Sequence, residues 1–215
     1  MAHPVYANPL AKKDWVYTPT ELEQATDRLV LEFHKLLPTY NQTPLRSLPT
    51  LAASLGISHL LLKDESNRFG LPAFKILGAS WAVYRSLVAR LAIPLDPLPS
   101  LSDVGAKARA ADVVLVTCTE GNWGRAVARM AGYLGVGARI FVPGYMVEET
   151  RGRIRGEGAE VIVVKGSYDD SVVSAKADVE KSGGILVVDF GWEGYEEMPQ
   201  VSSSTGLTLR APVWN

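Results

Sequence analysis

This sequence predicts an α/β fold, a mostly parallel twisted sheet with flanking helices. Three observations predict it. From about residue 57, short apolar runs alternate with segments of helical period. The run "ADVVLVTC" is apolar without alternation, as in a strand buried on both faces. The stretch "TCTEGNWGRAVA" reads as a strand turning through bare glycines into a helix, and ligands of open α/β sheets bind at such turns.

The elements follow in order. Residues up to about Tyr17 read as extended and polar. Thr20 and Glu23 fit a capping box, and Leu22, Ala25, Leu29, Phe33 and Leu36 form one apolar helical face that ends at Pro38. "YNQTPLRSLPTL" is a proline-punctuated connection, "TLAASLG" a short helix closed by Gly56, and "HLLLKDE" a short strand. Leu77, Trp81, Tyr84, Val88 and Leu91 mark an amphipathic helix, and "IPLDPLPSLSD" a proline-rich surface loop. After the strand "ADVVLVTC" come the helix "GRAVARMAGYLG", the strand "ARIFVP", a glycine-broken helix "EETRGRIRGEG", the strand "EVIVVKG", the helix "DDSVVSAKADVEKSG" and a last strand "GILVVDF". "VSSSTGLTLRAPVWN" has no helical period and reads as foreign to the pattern before it.

Composition excludes several function classes. Of 215 residues 47% are apolar, enough for a sizeable core, and 22 basic against 23 acidic residues leave no basic surface for nucleic acid or anionic membrane. A single cysteine, Cys118, rules out an internal disulfide and a cysteine-built zinc site, and His3, His34 and His59 lack metal-ligand spacing. No run approaches the roughly 18 apolar residues of a membrane span, and no apolar leader opens the chain. A soluble cytoplasmic protein is expected.

Three places can carry chemistry. Lys75 is either a solvated helix-start lysine or a reactive amine. Phe74, Ile76 and Leu77 surround it with apolar groups, and desolvation lowers a lysine pKa, as Schiff-base chemistry requires. The turn Glu120, Gly121, Asn122, Trp123, Gly124 is either a plain junction or an anion site at a helix amino terminus. Asp189, at the end of the last strand, is either a local cap or a functional acid, and Asp169–Asp170 reads as a helix cap. "GYLGVGA" ends a helix instead of following a strand, so it is no dinucleotide fingerprint, and Ser80 and Ser86 lack a nucleophile setting.

Taken together, "YNQTPLRSLPTLAASLGISHLLLKDESNRFGLPAFKILGAS", "TEGNWGRAVA" and "DFGWEGYEEMP" resemble the fold-type II, tryptophan synthase β-like, pyridoxal-phosphate enzymes. The likeness runs from about Tyr40 to Pro199 and is strongest to the diaminopropionate ammonia-lyase branch. The resemblance implies pyridoxal 5'-phosphate as cofactor, held by the amine of Lys75, with Asn122 facing the ring hydroxyl. It implies that the substrate carboxylate rests on the turn from Gly121 to Gly124. Glu120 and Asp189 match acids that serve opposite substrate enantiomers. The implied reaction is α,β-elimination of ammonia from a small amino acid. The implied layout is residues 1–76 in the large cofactor domain, 77–199 mostly in the small substrate-side domain, and 200–215 an atypical tail.

The sequence departs from the family pattern in three ways. Glu120 stands where the family has Asp, one methylene longer, and Trp123 where it has His. Family members also continue for roughly as many residues again, with the glycine-rich phosphate cradle, the partner of the pyridine nitrogen and much of the large domain in that part. The chain is therefore expected to lack the carboxy-terminal part of the large domain. The residues from Val201 are expected to be translated intron or a shortened reading frame, and activity to need a homodimer or a partner. The open alternatives are a truncated, inactive pseudoenzyme or binding subunit, and another fold-type II activity such as a serine/threonine dehydratase, a racemase or a β-substituting synthase.

Overall fold

The computed structural model describes residues 20–208. Helix α1 (Glu21–Lys35) leads to strand β1 (Leu45–Ser47), helix α2 (Pro49–Ser54) and strand β2 (Leu61–Lys63), and β1 and β2 form an antiparallel pair. Helix α3 (Lys75–Arg90) and helix α4 (Leu101–Ala110) precede a parallel sheet. Its elements are β3 (Val114–Cys118), α5 (Asn122–Leu134), β4 (Gly137–Pro143), α6 (Glu148–Arg155), β5 (Glu160–Val164), α7 (Tyr168–Ser182) and β6 (Ile185–Leu186), with strand order β5-β4-β3-β6. Helix α8 (Glu197–Thr208) follows. No helix among the described residues is long and apolar enough to cross a membrane.

The sheet separates two cores. Leu115, Ile140 and Val142 point into the larger one, with α3 and α5, while Val116, Cys118 and Phe141 point into a smaller one under α7. The strict side-to-side alternation along β3 and β4 explains why both strands read as unbroken apolar runs. β6 forms only two ladder pairs with β3, so most of the expected last strand is loop. The ladder ends because Val188 turns its N–H to the Tyr195 hydroxyl (3.1 Å) instead of to β3.

Helix α3 occupies the centre of the larger core. Ten of its 16 residues are buried, among them Leu77, Trp81, Tyr84 and Val88 as the spacing predicts, but also Ile76, Ala79, Ser80, Ala82, Val83 and Leu87, while Leu91, expected on the same face, caps the helix half-buried. It is not amphipathic, because α1, α4, α5 and α8 surround it. In α1 and the turn after it the buried side is Val30, Phe33, His34 and Leu37, while Ala25 and Leu36 are exposed, Leu29 is half-buried, and the side chain of Leu22 lies outside those described. Both sets satisfy a three-and-four spacing. Packing of Phe33 against Trp81 and Tyr84 (ring centroids 5.2 and 4.5 Å) selects the second.

Three further expectations change. The end of the proline-rich segment is helical, because Ser100 caps α4 by accepting the Asp103 N–H at 3.1 Å. The segment around Gly152 makes one unbroken helix, α6. The tail is not without helix: α8 runs through Val201 to Thr208 and packs on α1 and α3. A Cβ at Gly78 would lie 2.9 Å from the Ser202 carbonyl oxygen, so a glycine in α3 is what admits α8 so closely. The expected extended stretch before Tyr17 and the end of the tail lie outside the described residues. Of the expected acidic cap, Asp170 forms it, in a capping box with Ser167.

His34 is sealed between α1 and α3, 2% exposed, with its ring nitrogen Nε2 3.1 Å from the Leu77 carbonyl. Burial drives its pKa from 6.5 down to about 4, so the folded protein holds it neutral. The unfolded chain takes up the proton first, so stability falls as pH drops from 6.5 towards 4. Across that window the loss from this one group is on the order of 3 kcal/mol. Urea unfolding at stepped pH should show this slope, and His34→Gln should flatten it.

Candidate active site

Lys75 opens α3, and the segment before it is rigidly built. Arg68 and Leu71 exchange backbone hydrogen bonds (2.8 and 2.9 Å) around Phe69 and Gly70, both at positive φ (52° and 73°). Positive φ at both central positions is the signature of a type I′ turn. It is unfavourable for a phenylalanine, and here complete burial of the ring beside His34 and Tyr40 offsets it. The buried Arg68 guanidinium anchors the turn to Glu65 (2.5 and 2.6 Å), Thr43 (2.6 Å) and the Asn41 carbonyl (2.9 Å). Burial alone would raise the Glu65 pKa, but the bonds from Arg68 and Thr43 outweigh it and hold the carboxyl below its ordinary range.

The second component is the turn from β3 into α5. Thr119 continues the ladder to the Phe141 carbonyl (3.0 Å), and its hydroxyl accepts the N–H groups of Gly121 and Gly124, each at 3.0 Å. The Arg125 N–H bonds to the Gly121 carbonyl at 3.3 Å. The N–H groups of Asn122 and Trp123, in the first turn of α5, have no partner among the described residues. Two unpaired donors at the positive end of a helix favour an anion.

Asp189 arrives from beyond β6. The Tyr195 hydroxyl donates to the Leu186 carbonyl (2.9 Å) while accepting the Val188 N–H, and the Trp123 indole N–H donates to the Val187 carbonyl (2.9 Å). These bonds deliver the carboxylate to within 2.5 Å of the Lys75 ammonium. The two residues are 114 positions apart in the chain.

All three components meet at a cleft of about 570 Å³, with Lys75, Glu120, Gly121, Asn122, Trp123 and Asp189 in its walls. Gly124 lies beneath the turn and does not line it. The Lys75 side chain is 38% exposed, which corrects the expected apolar enclosure. Aromatic groups do flank it, with the Phe74 and Trp123 rings centred 5.7 and 5.8 Å from Nζ, but the amine faces the open cleft and a carboxylate. The reason is local: Ile76 and Leu77 turn into the core and away from their neighbour. The Asn122 side chain is exposed and also lacks a partner among the described residues. Glu120, at the rim, accepts a hydrogen bond from the Tyr145 hydroxyl.

Sequence reasoning passed over several contributors. Thr119 was legible as a hydroxyl two residues before a glycine turn, a position from which it can bond the turn amides. Cys118 and Tyr168 also line the cleft, with Sγ 3.7 Å from the hydroxyl; burial pushes the thiol up to about 11 and the phenol higher still. No local pattern marks Tyr145 or Tyr168. No cluster of His, Cys, Asp or Glu fit for a metal occurs among the described residues.

A family model described as pyridoxal-phosphate dependent enzyme matches residues 36–200. The chain belongs to that family. Pyridoxal phosphate is the family's cofactor, and the chain has relatives among diaminopropionate ammonia-lyases at 36–41% identity. The diaminopropionate ammonia-lyase of Salmonella typhimurium is 41% identical over 182 residues, 84% of this chain and 45% of the relative. The crystal structure of the Escherichia coli diaminopropionate ammonia lyase in apo form superposes with a TM-score of 0.81 at 34% identity, over 92% of this chain and 54% of that one. The same enzyme in complex with an aminoacrylate-PLP azomethine reaction intermediate gives 0.79 at 34% identity, over 92% of this chain and 50% of that one. The chain spans about half the length of the curated relatives it matches.

The turn that presents the cleft amides depends on Gly124. A Cβ there would lie 2.3 Å from Thr119 Cγ2 and 2.8 Å from Ile140 Cγ2, both in buried residues. Gly124→Ala should cost about 1–3 kcal/mol by overpacking, readable as a lower urea midpoint.

Proposed function

We propose that this chain carries the lysine, acid and carboxylate-binding elements of a pyridoxal-phosphate-dependent ammonia-lyase. The substrate is a small amino acid of the 2,3-diaminopropionate type, and the products are pyruvate and ammonia. One observation supports the reading above all. Lys75 and Asp189, remote in sequence, meet at 2.5 Å in a cleft that also holds Glu120 and the open amides of Asn122 and Trp123. In this reading residues up to about 76 belong to the cofactor side and 77–199 mostly to the substrate side.

The residues present fit the aldehyde end of the cofactor: an amine open to a roomy cleft, two aromatic walls, and an uncommitted carboxamide at Asn122. When bound, the cofactor supplies an electron sink for charge developing at the substrate Cα. The chain supplies the rest. Lys75 presents the amine, and Asp189 fixes its position through their 2.5 Å contact. Asn122 and Trp123 bind the substrate carboxylate through their N–H groups, which orients the Cα hydrogen. Glu120, on the α5 side of the cleft, receives that proton from one enantiomer, and Asp189 serves the other. Trp123 and Phe74 flank the amine with aromatic faces. Overall, diaminopropionate and one water give pyruvate and two ammonia.

The test uses the full chain. Incubation with pyridoxal phosphate, borohydride reduction and peptide mass spectrometry should place a pyridoxyl group on Lys75, and Lys75→Ala should lose it. Labelling confined to other lysines refutes the reading. In a chain that turns over, release of pyruvate from the enantiomer that uses Asp189 should fall about 10²–10⁴-fold in Asp189→Asn, the range of general acid–base catalysis.

A further inference from the structure

Glu120 is one methylene longer than an aspartate would be, and a longer carboxylate arm has more rotamers in which to miss its target. The structure shows what restrains it. β3 and β4 are parallel neighbours, in register from Val114↔Gly137 to Cys118↔Phe141, so the segments leaving their carboxyl ends run side by side. Glu120 lies two residues past the first strand and Tyr145 two past the second. The Tyr145 hydroxyl donates to Glu120 Oε1, and Oε2 has no partner among the described residues.

The segment carrying Tyr145 is itself braced. The Met146 N–H closes a turn onto the Pro143 carbonyl (3.1 Å), and the Met146 side chain is buried in the larger core. The Gly144 carbonyl accepts a hydrogen bond from Arg151 on α6 at 2.7 Å. A Cβ at Gly144 would press to 3.2 Å on the Val164 carbonyl oxygen, so the turn lies tight against the end of β5. Tyr145 is exposed, yet its backbone is fixed on both sides.

We infer that Tyr145 is a positioning residue for Glu120, holding Oε1 at the cleft rim and leaving Oε2 to meet the substrate Cα proton. The inference rests on the role proposed for Glu120 and adds the residue that makes the longer acid usable. One phenol restrains the extra torsion that the added methylene introduces, and the carboxylate keeps one free basic oxygen. Misplacing a catalytic group by an ångström costs on the order of a hundredfold, so a partial loss of restraint corresponds to about tenfold. The phenol is also shifted upward, first by the bond to Glu120 and further by the charges of Glu120 and of Asp169 on α7.

Two measurements on the full chain test it. The ultraviolet tyrosinate titration of the parent minus that of Tyr145→Phe isolates Tyr145. The same difference taken in a Glu120→Gln background should move to lower pH. An unmoved curve overturns the inference, because the bond then does not form in solution. With added pyridoxal phosphate, Tyr145→Phe should label at Lys75 as the parent does, yet lose about tenfold in pyruvate release from one diaminopropionate enantiomer only. Equal loss on both enantiomers overturns the positioning role. If the parent neither labels nor turns over, the proposed function fails, while the titration still decides the Tyr145–Glu120 pair by itself.

Discussion

A lysine in the first turn of a mostly buried helix cannot drift, and the rest of the site is arranged around that fact. Helix α3 is packed by α1, α4, α5 and α8, so its amino terminus has one position relative to the sheet. The preceding turn is locked by Arg68 and by the buried Phe69 ring. Lys75 is thus held at its backbone while its side chain remains free to face the cleft. Had burial enclosed the amine itself, the same lysine would be rigid but inaccessible.

Asp189 and the α5 turn are brought to this fixed point by different means. Asp189 has almost no ladder to support it, since β6 forms only two pairs. Side chains replace the missing strand: the Tyr195 hydroxyl bridges Leu186 and Val188, and the Trp123 indole holds the Val187 carbonyl. Trp123 therefore serves twice, as a wall of the cleft and as a strut for the acid beside it.

Ion pairs away from the cleft tie these parts into one frame. Glu157, after α6, receives Arg125 (2.8 Å) and Arg129, both on α5. Arg129 reaches on to the Phe69 carbonyl at 3.2 Å, in the turn ahead of Lys75. Burial would raise the Glu157 pKa, but the two guanidiniums prevail and keep it below its ordinary range. One carboxylate so couples the helix whose amino terminus offers the cleft amides to the loop that delivers the lysine.

The α/β class and the parallel sheet were legible in the sequence by itself, and the candidates it offered, Lys75, Asn122, Glu120 and Asp189, come together in one cleft. Apolar runs, helical periods and glycine turns are local properties, and strand-to-helix turns on a parallel sheet lie at its carboxyl edge by topology. Other features were decided only by tertiary structure. Whether α1 buries Leu29 and Leu36 or Val30 and Leu37 depended on α3, because both sets obey the same period. The helix through Val201 formed where the sequence shows no helical period, because Gly78 leaves room for it against α3. The exposure of Lys75, its contact with Asp189 and the bond from Tyr145 to Glu120 join residues 114 and 25 positions apart. No local spacing encodes such pairs. They exist because neighbouring parallel strands end side by side and a buried helix aims its first residue at that edge.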